Sequence, residues 1–527
     1  MLRRFATCLA FATWCFLNTW VEFAETDSTY FSRYDPIRAV VIPVVSWEIL
    51  LAGVLLCGWE FCRRRGFTRW WLLHLLFLAS CFVPLGIGAV AAMRAAPFDL
   101  IPVVRRPWFW PAVLVVAAVP LGFAVLRPYK ASRWMRACFL WSWPVLLIVM
   151  IQAGRMTLLR YPAASYQDRA LATSLKSSPK RIRVVWIIFD ELSQAIAFGK
   201  RPDGMQLPNL DHLKAESFYA SSARAPANAT ELSMPSLILG EQVVAVSPRG
   251  PDSLYLRANS RKEAFAWSAA PNVFDKARES GFNTAVVGWF HPYCRVLNRS
   301  LTKCYWTAGW LNSGIEEPST PQSLSDAMWY RARLQFATLP LVGHLPGVFP
   351  GTCQRQEKIL RFSYLLDRAL EIVADPAIGL ALIHLPIPHP PAINSRYGRG
   401  LIAQGRNGYL DSVALVDETL GLLRRRMEQA GFWDATAILL SADHGWRTYL
   451  WRGDPDWTAD DEAASHDDAS GVPFLLKLPG QTSGVFYSKP FRTVVTSRLI
   501  AEILSGRLMD PGAIPNAVER LEADVQF

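Results

Sequence analysis

The sequence predicts a fold in two parts: an N-terminal all-α transmembrane bundle of five helices, followed by an α/β domain on a mainly parallel sheet. Three observations predict it. Five long apolar runs crowd into the first third of the 527 residues. Beyond Arg181 the pattern changes to short apolar strands alternating with amphipathic helices. The 51% hydrophobic content with 21 Trp is high for a wholly water-soluble chain.

The five runs cover residues 5–23, 39–59, 70–92, 108–126 and 137–152, each read as a bilayer crossing. The last is short and depends on Trp134 and Trp141 at the interface. The first run alone would suit a cleaved signal peptide, but four more follow, which makes it a signal anchor. Residues 1–152 are thus the membrane domain, 153–180 a polar connector with one interfacial helix, and 181–527 an outer domain. Orientation follows from the loops. With the N-terminus inside, the inner segments hold Arg3, Arg4, Arg63, Arg64, Arg65, Arg69, Arg127, Lys130, Arg133 and Arg136. The outer loops hold only Arg33, Arg38, Arg94, Arg105 and Arg106. This bias puts everything after the fifth span outside a cytoplasmic membrane of bacterial type, with the outer domain periplasmic or extracellular.

Much of the +11 net charge is therefore a topology signal or a surface facing anionic lipid. No zinc-finger spacing or basic recognition helix is present, so nucleic acid is not an expected partner. Cys8, Cys15, Cys57, Cys62, Cys81 and Cys138 fall in or beside membrane helices, where they act as small apolar residues. Cys294 and Cys304 bracket a short outer loop and suit a disulfide in an oxidising compartment, leaving Cys353 over. Glu48 lies within the second span. It is either a functional intramembrane acid or a hydrogen-bonded interior glutamate.

In the outer domain, "RVVWIIFDE", "FNTAVVGWF", "IGLALIHLP" and "ATAILLSADHG" read as buried parallel strands. "SVALVDETLGLLRRRMEQAG" has helical spacing and stops at Gly431. The run 453–471 reads as an acidic loop, and there is no internal repeat. Ligand chemistry in such sheets gathers at the carboxyl ends of strands. Those ends carry Asp190 with Glu191, His384 with His389 just beyond, and Asp443 with His444. Carboxylate and imidazole donors together suit Zn²⁺ or Mn²⁺, and all-oxygen sites suit Ca²⁺ or Mg²⁺. A single aspartate at a strand end equally serves as a helix cap, but three such ends together point to a metal. The stretch "APANATELSMPSLILG" sets Thr230 and Ser233 at the start of a short apolar helix. Each hydroxyl there is a cap or a nucleophile.

Taken in order, "VVWIIFDE", "PNLDHLKAES", "TELSMPSLILG", "SADHG" and "GVPFLLKLPG" resemble the sulfatase and alkaline-phosphatase superfamily over residues 181–505. The likeness is sharper to its membrane-bound phosphoethanolamine and phosphoglycerol transferases, which place an outer catalytic domain after five spans. Their T-x-x-S-x-P is matched by Thr230, Ser233 and Pro235, and their H-x-x-x-x-H-G-P-A by "HLPIPHPPA", with Pro390 in place of Gly. The resemblance implies an alkaline-phosphatase-like three-layer sandwich. It further implies a divalent metal, zinc first and then Mn, Mg or Ca, held by Asp190, Thr230, Asp443 and His444, with Glu191 as an optional ligand. His384, His389, His466 and Ser233 would lie around the substrate, with His389 protonating a leaving alcohol. The transferases carry Glu at the position of Asp190, and His466 stands farther from Pro473 than their His-x-Pro. The sulfatase sequence C/S-x-P-x-R is missing, since no such Arg follows Thr230.

The expected reaction moves a phospho-substituted group from a lipid donor, through phospho-Thr230, to an envelope glycan or lipid. The chain is expected to work as a membrane-embedded monomer. Two rivals stand beside this: an extracytoplasmic phosphoester or sulfate-ester hydrolase, and a catalytically inactive envelope scaffold.

Overall fold

The computed structural model describes residues 1–24, 41–67, 70–95, 109–160, 170–175, 182–250, 253–308, 323–337, 351–398, 400–403, 405–452, 456–465 and 470–525. The chain divides into two compact units: 1–165 with 320–351, and 166–319 with 352–527.

The first unit is helical: α1 (Leu2–Cys15), α2 (Leu17–Ala24), α3 (Ile42–Arg64), α4 (Trp71–Ser80), α5 (Phe82–Ala95), α6 (Phe109–Leu126), α7 (Pro128–Trp141) and α8 (Trp143–Arg160). Among the described residues three stretches are long and apolar enough to cross a membrane: Ile42–Arg64, Trp71–Ala89 and Pro128–Ile151. The run 5–23 is helical but broken at Phe16, and 108–126 corresponds to α6. The last span is longer than its apolar run because Pro128, at the first helical position, starts it within the basic segment, before the apolar run begins at 137. Phe11, Trp20, Val44 and Phe139 share the bundle core. Glu48 is buried there and accepts the Trp20 indole N–H at 2.7 Å. A further helix, Leu324–Ala337, belongs to this unit although it lies within 181–527 in sequence. It packs on α3, where Trp47 Nε1 donates to the Met328 carbonyl at 2.6 Å.

The second unit is built on an eight-stranded sheet. Its strands are β1 (Arg183–Asp190), β2 (Phe218–Ala220), β3 (Asn283–Phe290), β4 (Lys303–Ala308), β5 (Ile378–Pro388), β6 (Thr436–Ala442), β7 (Phe474–Lys477) and β8 (Val485–Tyr487). Across the sheet they run β8-β2-β7-β6-β1-β5-β3-β4. Only β7 opposes its neighbours, so the sheet is mainly parallel. The four strands legible in the sequence are the four adjacent central ones. Every residue of β1 and of β6 is buried, which is why both read as unbroken apolar runs without alternation.

Helices cover the sheet in two groups. The first holds α9 (Pro208–Ala215) and α13 (Tyr409–Gln429), packed on β7 and β5 and on each other. Asp417 locks that pair by accepting from Leu210 N and Asn209 Nδ2, both at 2.8 Å. The second holds α10 (Thr230–Leu239), α11 (Val273–Glu279) and α14 (Thr496–Leu504), joined through α14. The result is the three-layer α/β architecture of the sulfatase and alkaline-phosphatase type. The long helix α12 (Gly351–Val373) leads into β5. Part of the acidic loop is ordered as a short helix, Ala459–Ala464, capped by Thr458. Cys294 and Cys304 are joined as a disulfide.

Candidate functional site

The parallel sheet delivers the carboxyl ends of β1, β5, β6 and β3 side by side, and the site is built there. Asp190 is the last residue of β1, while Asp443 and His444 directly follow β6. One ligand atom from each of these three lies within 4.8 Å of the others, and all three side chains are buried. His444 Nε2 is 3.4 Å from Asp190 Oδ1 and 3.5 Å from Asp443 Oδ2. His444 Nδ1 donates to its neighbour's carbonyl, Gly445 O, at 3.0 Å. That bond fixes the tautomer and leaves the Nε2 lone pair aimed at the two carboxylates, as a metal ligand requires.

The carboxylates differ. Asp443 Oδ1 accepts two backbone N–H groups, from Glu191 at 3.1 Å and His444 at 2.8 Å, which leaves Oδ2 for the cluster. Neither oxygen of Asp190 accepts a hydrogen bond from any described residue, although both are fully buried. Burial, reinforced by the charges of Asp443 and Glu191, pushes the Asp190 carboxyl well above its usual range. A buried carboxylate with no donor is costly unless a cation answers it. The O, O, N donor set and the two orphaned oxygens fit a divalent ion of the zinc or manganese kind.

Thr230 completes the group. It opens α10, with Ala229 in the extended cap position and no side-chain cap bond. Its Oγ1 donates to Asp443 Oδ2 at 2.7 Å and lies 3.4 Å from His444 Nε2. Neither hydroxyl therefore caps the helix. Ser233 instead turns back on the preceding loop, donating to Ala227 O at 2.9 Å and accepting Ala227 N at 3.2 Å. The helix stops at Gly240, whose φ of 72° and closeness to Ser497 leave no room for a Cβ.

Glu191 points elsewhere. Its carboxylate accepts Arg447 N at 2.7 Å, Arg447 Nε at 3.2 Å and Trp451 Nε1 at 2.8 Å. Burial raises this carboxyl, but the Arg447 charge, with those of His389 and His444, outweighs it and holds Glu191 below its ordinary value. Glu191 thus anchors the loop after His444. His389 Nε2 stands 3.9 Å from Glu191 Oε2, its Nδ1 donates to Pro390 O at 2.7 Å, and its ring lies between Trp289 and Trp451. His384 sits inside β5, in register with Ile188 and Gly288, with Nδ1 3.0 Å from Tyr293 Oη. Gly288 permits this, since a Cβ there would meet the Tyr293 ring at 2.5 Å. His384 Nε2 is buried with no hydrogen-bond partner among the described residues. His466 lies outside the described residues.

Three participants escaped the sequence reading. His291, one residue past β3, reaches Thr230 O through Nε2 at 3.2 Å, and burial pushes it down to about 3. The strand-end rule that found Asp443 would have found it too. Arg447 and Lys358 carry no such signal. Lys358 is buried on α12 and donates to His389 O, and to Pro391 O at 2.9 Å, tying down the segment that holds His389. Backbone strain marks the same places. Glu191 and Phe290 have φ of 70° and 72°, beside Asp190 and His291, in a region that non-glycine residues avoid.

A protein-family model described as Sulfatase matches residues 183–505. An ulvan-active sulfatase of Formosa agariphila is 32% identical over 88 residues, which is 16% of this chain and 16% of that relative's length. Among solved structures, a sulfatase from Pseudoalteromonas sp. aligns with a TM-score of 0.42 at 15% identity, covering 62% of this chain and 68% of that one. A phosphonate monoester hydrolase from Silicibacter pomeroyi aligns with a TM-score of 0.39 at 15% identity, covering 62% and 73%.

Proposed function

Given that the chain belongs to the sulfatase family, we propose that it is a metal-dependent phosphotransferase whose nucleophile is Thr230. It takes a phospho-substituted group, such as phosphoethanolamine, from a lipid donor and passes it to an envelope glycan or lipid. The observation that carries this reading is the Thr230 hydroxyl, 2.7 Å from Asp443 Oδ2 and 3.4 Å from His444 Nε2, where a mere cap would turn to its own helix.

A divalent ion held by Asp190, Asp443 and His444, with Thr230 as a further donor, supplies a lowered hydroxyl pKa and charge neutralisation on the phosphoryl oxygens. The protein's own groups orient the nucleophile and move the leaving group's proton. Thr230 Oγ1, oriented by its hydrogen bond to Asp443 Oδ2, bonds to phosphorus and gives up its proton to solvent. The bond from phosphorus to the lipid oxygen breaks, and that oxygen takes a proton from His389 Nε2. In the second half an acceptor hydroxyl attacks phospho-Thr230 and gives its proton to His389, while the departing Thr230 oxygen recovers a proton from solvent. Burial pushes His389 down to about 3, and an arriving phosphodiester anion acts the other way, toward the protonated ring the first step needs. The amide end of α10 adds donors for the anion. The apolar helices of the first unit and the loop charges support a bacterial-type cytoplasmic membrane, with the sheet unit on the periplasmic side. The family match also supports a second reading in which water is the acceptor.

The test uses the full chain with phosphatidylethanolamine vesicles and added zinc. Diacylglycerol release and a phosphoethanolamine adduct on the Thr230 peptide, read by mass spectrometry, are the expected results. Thr230→Ala should melt normally and lose about 10³-fold or more in turnover. Thr230→Ser should keep part of it, and Ser233→Ala should lose much less. A Thr230→Ala protein that turns over normally ends the nucleophile assignment. Free phosphoethanolamine formed in preference to a glycan or lipid product selects the hydrolase.

A further inference from the structure

Between the helices of the first unit lies a half-open cavity of about 450 Å³ that the proposed chemistry does not use. Its walls are mostly apolar, with Phe11 of α1, Leu55 of α3, Phe77 of α4 and Phe139 of α7 among them, beside the polar Thr7, His74 and Ser80. The volume falls in the range of ordinary small-ligand sites. One strong charge enters it. Arg136 of α7 lines the cavity with its guanidinium 4.9 Å from the Trp59 ring centroid and 5.8 Å from that of Phe77.

Arg136 is incompletely used by the protein. Nε donates to Ser132 O at 3.0 Å and Nη2 to Ser132 Oγ at 3.3 Å, and Nη1 has no hydrogen-bond acceptor among the described residues. No described carboxylate lies within ion-pair distance of it. Glu60, one residue beyond Trp59, is already engaged by Arg4 and by Arg63, the latter at 2.9 Å. The cluster therefore carries three arginines against one glutamate, with the Arg136 fork facing apolar space. A guanidinium in such surroundings calls for an anion, and a planar fork suits a phosphate. The apolar remainder calls for a hydrocarbon chain.

Position agrees. Arg136 lies in the first half of the span Pro128–Ile151, roughly 12 Å of helix after Pro128 and roughly 22 Å before Ile151. This is the end of the span that bears Arg127, Lys130 and Arg133, and the last turns of α3, which end at Arg63 and Arg64, meet it through the Trp59 ring. Basic pockets between membrane helices on the cytoplasmic side are suited to anionic lipid head groups. We propose that this cavity binds an anionic phospholipid of the inner leaflet, its phosphate on Arg136 and an acyl chain between α1, α3, α4 and α7. The site is separate from the Thr230 chemistry, and it rests on the reading that these helices span a membrane.

The test is native mass spectrometry of the full chain in neutral detergent, mixed with phosphatidylglycerol or phosphatidylcholine. The wild type should retain phosphatidylglycerol about tenfold better. Arg136→Gln should bring the two lipids to parity. Gly58 supplies a variant that keeps Arg136: it lines the cavity, a Cβ there would meet no atom within 4 Å, and leucine is a better helix former than glycine. Gly58→Leu should fill the space and lose both adducts. Equal retention of the two lipids by the wild type, or undiminished phosphatidylglycerol on Gly58→Leu, overturns the proposal. Release of the chain into the soluble fraction by alkaline carbonate would instead end the membrane reading, and this inference with it.

Discussion

Each unit buries an acid, and the two acids are treated differently. Glu48 in the helical unit is 3% exposed and receives the Trp20 indole N–H. Asp190 in the sheet unit is 0% exposed and receives nothing from the described residues, while an imidazole and a second carboxylate close around it. Burial alone therefore does not separate a structural acid from a functional one. The missing donors do, because a fold selected for stability alone would have supplied them.

The largest effect should come from breaking that contrast directly. Asp190→Asn should strip the metal from the full chain and lower turnover by about 10³-fold, whereas Glu48→Gln should leave both unchanged. Elemental analysis beside a turnover assay reads this, and an Asp190→Asn protein with full metal occupancy would remove Asp190 from the site. A smaller effect sharpens the comparison with a third buried acid, Glu191, which the chain does answer through Arg447. Arg447→Met leaves that carboxylate buried and unpaired and should cost about 3–5 kcal/mol in denaturant unfolding. Glu191→Gln combined with Arg447→Met should recover much of it, and a single Arg447→Met of wild-type stability would show that the pair is idle.

The smallest effect concerns pH. Burial pushes His384 down to about 4 and His291 to about 3, from an ordinary 6.5. For a histidine lowered on folding, the unfolded chain takes up the proton first. Its contribution is complete above 6.5 and is lost as pH falls toward 4 for His384 and 3 for His291. The chelated protein should thus lose melting temperature across that window, and His384→Gln should flatten the slope. An unchanged slope would place the acid sensitivity elsewhere.

The sequence disclosed the centre of the sheet and obscured its margins for one physical reason. β1, β3, β5 and β6 are flanked by other strands and covered by helices, so their composition is continuously apolar. β2 and β8 have three residues each, too few to show a period. The same rule served the site. Asp190, Asp443 and His444 end legible strands, and Thr230 opens a legible helix. Arg447 and Lys358 act through partners remote in sequence, which no local pattern announces. The capping alternative for Thr230 was open until the fold turned its hydroxyl toward Asp443.

The helix Leu324–Ala337 bears on how such a chain can be rebuilt or recombined. Because the polypeptide leaves the sheet unit and returns to the helical one before completing β5, the two units are interleaved along the gene. A cut after residue 165 does not separate them. It releases a sheet unit still carrying a helix whose Leu324 and Trp329 are 49% and 64% exposed even in the intact chain, and it strips from that helix the α3 face it packs on. Such an orphaned apolar face invites self-association. Exchanging membrane anchors between relatives, whether by an engineer or by evolution, would therefore require three matched crossovers, after residue 165 and on both sides of 320–351, in place of one.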